Sequence, residues 1–259
     1  MYIIDADAHI SPYETYGAHN TIEMLINQMD YAGIDKTLTW IQPPYERNLD
    51  ESLKYLYNAS KIYHDKIIGF GWVDPHLGFT KSKDTIRRCI EEYGFYGIKM
   101  NGAQNEYFID DPKFALPLVE EIAKTGKAIA FHIGGDAYEF THPFRLAKIA
   151  ELYPELQILM VHMGGACFAD LSAAAIEVAS KHNNITLIGS AIRDISIIKA
   201  LKSLGSERIC FGSDSPFALS HGCVAMYKAI LQGANLSSDE QQKVMGGNIL
   251  RVLGINELI

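Results

Sequence analysis

Long apolar runs are missing from this chain. No stretch approaches the ~18–20 residues of a membrane-spanning helix, which argues against one. Cysteine is scarce. The four residues Cys89, Cys167, Cys210 and Cys223 lie far apart and form no Cys-x-x-Cys pair, so neither a disulfide framework nor a dithiol redox motif is indicated. Cys167 and Cys210 adjoin the polar clusters described below and read as buried packing residues. A basic face is also lacking: Lys and Arg are scattered and the formal net charge is −8, so no nucleic-acid partner is expected. Asp5 and Asp7 near the N-terminus are at odds with a signal peptide. With reduced thiols as the default, a cytoplasmic location is expected.

No linker, low-complexity tract or repeat divides the 259 residues, and a single domain over 1–259 is expected. What recurs is a strand-like run followed by an amphipathic helix. The candidate strands are Tyr2–Asp5, Thr37–Ile41, Ile67–Val73, Gly97–Met100, Ala128–His132, Gln157–His162, Ile185–Gly189 and Arg208–Gly212. Several are apolar throughout, such as Ala128–Phe131, which suits strands buried on both faces of a parallel sheet. Between them, Ile22, Leu25, Ile26 and Met29 repeat at helical spacing, and Asn20 with Glu23 reads as a capping box. Pro117 implies a late start or a bend in the helix carrying Leu118 and Ile122. Gly33, Gly94, Gly126 and Gly205 each follow a helical stretch, where a left-handed residue is wanted. Eight strands alternating with helices predict an α/β fold of the (β/α)8 barrel type. A doubly wound sheet would need a Gly-rich turn after its first strand, and Asp5-Ala6-Asp7-Ala8-His9 is the opposite of one.

Four polar clusters accompany the strand-like runs: Asp5–His9, His132 before Gly134-Gly135, His162 before Gly164-Gly165, and Gly212-Ser213-Asp214-Ser215-Pro216. In a parallel barrel all strand ends open on one face, so these segments can converge on one ion. Asp7 and His9, two apart, would project from the same side of a strand. Each cluster taken singly has a plain structural reading: a capping aspartate, a packed histidine or a turn. Their joint occurrence at four strand ends is harder to explain that way.

The chain resembles the amidohydrolase superfamily, in the amidohydrolase-related branch that includes aminocarboxymuconate-semialdehyde decarboxylase. The resemblance runs from Ile4-Asp5-x-Asp7-x-His9 through Gly97-Ile98-Lys99-Met100, the His132 segment, His162-x-Gly164-Gly165 and Gly212-Ser213-Asp214-x-Pro216 to Gly247-Asn248-Ile249-Leu250-Arg251-Val252-Leu253. It departs from the family's usual His-x-His opening, because Asp7 stands at the first histidine. The resemblance implies Asp7, His9, His132 and Asp214 as ligands of one divalent metal, zinc first and manganese next given two carboxylates. It implies His162 and Asp214 as catalytic residues, with Asp214 carrying a proton and His162 hydrogen-bonding a developing oxyanion. Lys99, at a strand end, reads as a substrate contact rather than a carbamylated bridge between two metals. Arg193 reads either as a clamp for a substrate carboxylate or as a surface residue at a helix start. Asn101, Trp40, Asp136 and Tyr138 are candidate pocket residues, and His142 before Pro143 a helix cap.

The expected activity is hydrolysis of a small amide, ester or lactone through metal-activated water. The alternative is non-oxidative decarboxylation of an aromatic or unsaturated acid, favoured by Asp7. A third reading is a metal-binding protein without catalysis. The loops look short, which points to closure by a second copy of the chain, a homodimer.

Overall fold

The computed structural model describes residues 1–13, 19–42, 49–166 and 170–256. Its strands are β1 (Ile4–Ile10), β2 (Lys36–Ile41), β3 (Ile67–Gly69), β4 (Gly71–Trp72), β5 (Gly97–Met100), β6 (Ala128–His132), β7 (Ile158–Val161), β8 (Ile185–Gly189) and β9 (Ile209–Phe211). Neighbours pair in parallel, in the order β1-β2-β3 and β4-β5-β6-β7-β8-β9. β3 and β4 are one barrel strand interrupted at Phe70. The Phe70 amide still donates to the Thr39 carbonyl at 3.0 Å, and its ring packs edge-on against Trp40. Counted this way, eight strands alternate with helices, which is the expected (β/α)8 barrel.

Two backbone hydrogen bonds close the cylinder: Asp214 N–H donates to Asp7 O and His9 N–H donates to Ser215 O, both at 2.8 Å. The seam between first and last strand therefore runs through the residues that matter most. β1 is longer than its apolar run suggested. Asp7 and His9 lie inside it, and its pairing with β2 shifts between Asp5 and Ala8. Every residue of β1 is buried, polar ones included, because both faces of a barrel wall are covered.

Helices cover the outside through apolar stripes. In the helix Ile22–Ala32, residues Ile22, Leu25 and Met29 face inward. Burial of each such side chain contributes about 1.5–3 kcal/mol. The cap of this helix is Thr21, not Asn20. Asn20 is buried and donates instead to the His9 carbonyl at 2.7 Å. Pro117 sits in the first turn of the helix Leu116–Lys124, where its missing N–H costs nothing. Gly33, Gly94, Gly126 and Gly205 take the positive φ expected of them. His142 caps the helix Pro143–Leu152, accepting from Phe144 N at 3.3 Å. Cys210 is buried, which pushes its thiol up to about 12 and suits a packing role; Cys167 lies outside the described residues. Among the described residues no helix is long and apolar enough to cross a membrane.

Gly189 ends β8 because nothing larger fits. The buried Tyr227 hydroxyl donates to its carbonyl at 2.8 Å, and a Cβ built there would lie 2.1 Å from that oxygen. Gly189→Ala is expected to cost about 1–3 kcal/mol by overpacking. Urea unfolding measures this, and an unchanged midpoint would show that Tyr227 yields freely.

Candidate metal and catalytic centre

β1 delivers three polar side chains to the barrel interior. Asp5 Oδ1 accepts from the amides of Asp7 (3.0 Å) and Ser213 (2.8 Å), and its Oδ2 accepts from Ser213 Oγ (2.5 Å). Burial nonetheless pushes the Asp5 carboxyl up to about 7. Asp5 thus brackets β1 to the segment carrying Asp214.

His9 is held at both nitrogens. Nδ1 lies 2.9 Å from the Ile41 carbonyl, and Trp40 Nε1–H donates to Nε2 at 3.1 Å. A carbonyl can only accept and an indole N–H can only donate, so His9 carries its proton on Nδ1. Burial, helped by Lys99, pushes His9 down to about 3, so the ring is neutral. Its Nε2 stands 3.6 Å from Asp7 Oδ1 and 3.4 Å from Asp214 Oδ1.

Asp214 follows β9 in a left-handed conformation, φ 61°. Such a backbone costs a non-glycine residue of order 1–3 kcal/mol and is typical of functional sites. His162, with φ 67°, and Met163, with φ 42°, share it after β7. Burial and the neighbouring Asp7 hold the Asp214 carboxyl well above the usual carboxylate range. Burial, His132 and Lys99 hold His162 well below the usual imidazole value, so it is neutral.

Asp7 is fully buried, and its Oδ1 has no hydrogen-bond partner among the described residues. An orphaned carboxylate oxygen in a barrel is costly unless a cation takes it. Ligand atoms of Asp7, His162 and Asp214 lie within 4.8 Å of one another. His9 Nε2 stands beside both carboxylates and would join them once the Trp40 N–H releases its lone pair, so these oxygens and imidazoles fit a divalent ion such as zinc or manganese. His132 stands against His162, ring centroids 4.6 Å apart and edge to face. Its Nε2 is turned to Asp136, 3.0 Å from both carboxylate oxygens. Ligation through that nitrogen requires Asp136 to release it. Burial works to raise the Asp136 carboxyl, but the His132 hydrogen bond and the neighbouring His132 and His162 rings together outweigh it, and the net shift is downward.

Asp7, His9, His162 and Asp214 therefore converge, with His132 at their edge. The four candidate substrate contacts do not present themselves as such. Lys99 is wholly buried, with Nζ 3.6 Å from the Trp40 ring centroid, 5.5 Å from that of Trp72 and 3.9 Å from Asp7 Oδ1. Burial pushes it down to about 8. It is an internal counter-charge caged by two indoles. Trp40 is equally buried and supports Lys99 and His9. Asn101 caps a short helix, accepting from Gln104 N at 3.0 Å. Arg193 is exposed and donates to Asp170 Oδ2 at 2.7 and 3.2 Å, which matches its surface reading. Tyr138 is exposed.

Two participants escaped the sequence reading. Ser190, directly after β8, donates to Asp7 Oδ2 at 2.5 Å and lies 2.9 Å from His162 Nδ1. Its signal was the same strand-end position that marks His132 and His162, but serine is common in turns. Phe217 is half exposed and its ring stands edge-on to His9, centroids 5.6 Å apart.

Comparison with known proteins follows the same lines. A family model described as Amidohydrolase matches residues 4–255. The chain is 25% identical over 226 residues to 2-amino-3-carboxymuconate-6-semialdehyde decarboxylase of Dictyostelium discoideum, covering 74% of this chain and 62% of that protein. It thus spans under two thirds of the length of that relative. Among solved structures, 2,6-dihydroxybenzoate decarboxylase from Rhizobium superposes with TM-score 0.75 at 16% identity, covering 98% and 99% of the two chains. The 5-carboxyvanillate decarboxylase of Novosphingobium aromaticivorans, solved with manganese and 4-hydroxy-3-methoxy-5-nitrobenzoic acid, has TM-score 0.75 at 19% identity over 98% and 96%.

Proposed function

The chain belongs to the amidohydrolase family, and from that premise we propose that it is a metal-dependent decarboxylase of a small aromatic or conjugated carboxylic acid. The named relative and the structural neighbours favour this over hydrolysis, the reaction expected first from sequence. The observation that carries the proposal is the buried carboxylate pair of Asp7 and Asp214 flanking His9, with no hydrogen bond to Asp7 Oδ1 among the described residues. A hydrolase centre and a decarboxylase centre both use such a site, but an acidic opening ligand in place of histidine suits the latter.

Asp7, His9, His132 and Asp214 would hold the ion. Once bound, it would supply a Lewis acid that anchors the substrate carboxylate or an adjacent oxygen. Asp214 carries the proton. Its Oδ1 stands 3.4 Å from His9 Nε2, within the buried cluster where a positioned acid is needed. That proton goes to the carbon bearing the carboxylate. The bond from this carbon to the carboxylate then breaks, its electrons restore the conjugated system, and carbon dioxide leaves. Phe217 offers a planar apolar face to a planar substrate. Lys99 and its indole cage offset the charge of Asp7 from beneath.

The test is a panel of aromatic and conjugated acids beside a panel of activated esters, lactones and amides, each with metal-loaded protein. Carbon dioxide release from an acid, with the esters ignored, is expected. Acid release from esters without carbon dioxide would transfer the assignment to hydrolysis. Tight binding with no turnover on either panel would favour the non-catalytic reading.

A further inference from the structure

We infer that Ser190 is a positioning residue that fixes the tautomer of His162, with the proton on Nδ1. The inference rests on the reading of His162 as a catalytic residue, and it sharpens that reading.

The argument is a count of protons. Ser190 is 1% exposed and has one hydroxyl proton. That proton goes to Asp7 Oδ2, at 2.5 Å, because a carboxylate can only accept. The oxygen can then only accept from its other neighbour, His162 Nδ1, at 2.9 Å. A neutral imidazole holds one proton, so Nδ1–H implies a lone pair on Nε2. Asp7 Oδ2 itself stands 3.5 Å from Nδ1, and its negative charge favours the same placement. The chain Asp7–Ser190–His162 joins β1, the end of β8 and the end of β7. It has the logic of a carboxylate orienting a catalytic histidine, with a hydroxyl interposed.

The backbone holds the hydroxyl in place. Ser190 follows Gly189, whose carbonyl is pinned by Tyr227, and its Cβ lies 3.2 Å from where a Cβ on Gly212 would stand. The side chain thus sits in the barrel wall between Asp7 and His162 and has no solvent to turn to. Asp7 Oδ1 has no hydrogen bond among the described residues, so orientation of His162 and metal binding would use different oxygens of one group.

The test is imidazole 15N NMR on the full-length chain, metal-free and loaded with diamagnetic Zn2+, with His162 assigned by the signal missing in His162→Gln. Wild type is expected to show a protonated Nδ1 and an unprotonated Nε2. Ser190→Ala is expected to move the signals toward a mixture of tautomers, and Ser190→Thr, which keeps the hydroxyl, to restore the wild-type pattern. In turnover, Ser190→Ala should lower kcat about 10–100-fold, the range seen when an outer partner of a site histidine is lost, with KM little changed. A wild-type His162 protonated on Nε2 would overturn the inference. So would a Ser190→Ala protein that loses activity with its tautomer unchanged, because Ser190 would then be packing only. The NMR arms need no substrate, so they decide this point even if no acid in the panel is turned over.

Discussion

Exhaustive chelation is expected to abolish turnover, by about a thousandfold or more, and addition of Mn2+ or Zn2+ to restore it. Lewis-acid stabilisation of developing charge is worth several kcal/mol, and each 1.36 kcal/mol is a factor of ten in rate. The centre itself predicts the dependence. Asp7 and Asp214 both flank one neutral imidazole, and Asp7 Oδ1 lacks any hydrogen-bond donor among the described residues. Lys99 supplies one positive charge 3.9 Å from Asp7 Oδ1, and without the ion Asp214 is held toward its uncharged form. Metal binding should also stabilise the fold, by about 2.7 kcal/mol when the ion is at a hundred times its Kd. Thermal unfolding with and without chelator measures that gain. Full activity in metal-free protein, verified by elemental analysis, would end the metal-dependent reading altogether.

Asp214→Asn is expected to lose about 10²–10⁴-fold in kcat, the usual worth of a positioned acid or base. The amide keeps the size of the side chain and one oxygen to offer a cation, so part of the metal should remain bound. What it cannot do is carry the proton. The same substitution should leave the metal-free protein as stable or more so, because it removes a buried carboxyl that burial and Asp7 push out of its charged form. A variant that kept wild-type turnover would take Asp214 out of the mechanism. One that lost all metal would make Asp214 a ligand first, and its proton role would need separate proof.

Much of the barrel was legible along the chain because its signals are local. Apolar runs such as Ile158–Val161 and Ala128–Phe131 declare strands buried on both faces, and His9, His132, His162 and Asp214 stand at or near strand ends, with Asp7 two residues before His9. Several polar groups are claimed by partners that the chain order does not display. Asn20 has the right spacing for a capping box, yet the His9 carbonyl takes its amide while Thr21 caps the helix. Lys99 stands at a strand end like the histidines, yet Trp40 and Trp72 enclose its ammonium. Asn101 and Arg193 found partners in Gln104 and Asp170. In each case a neighbour, near or far along the chain, had the stronger claim on the polar group.

By itself the amino-acid order determined the alternation of strands and helices, the closure into a barrel, and the set of carboxylates and imidazoles at its mouth. Those follow from periodicity and from the geometry of parallel strands, which read in one dimension. Only the tertiary structure decided which atoms of that set face one another. Ser190 reaches Asp7 across 183 positions of sequence and thereby sets the proton on His162. Hydrogen bonds act over about 3 Å and depend on direction, so they are set by how the walls of the cylinder meet.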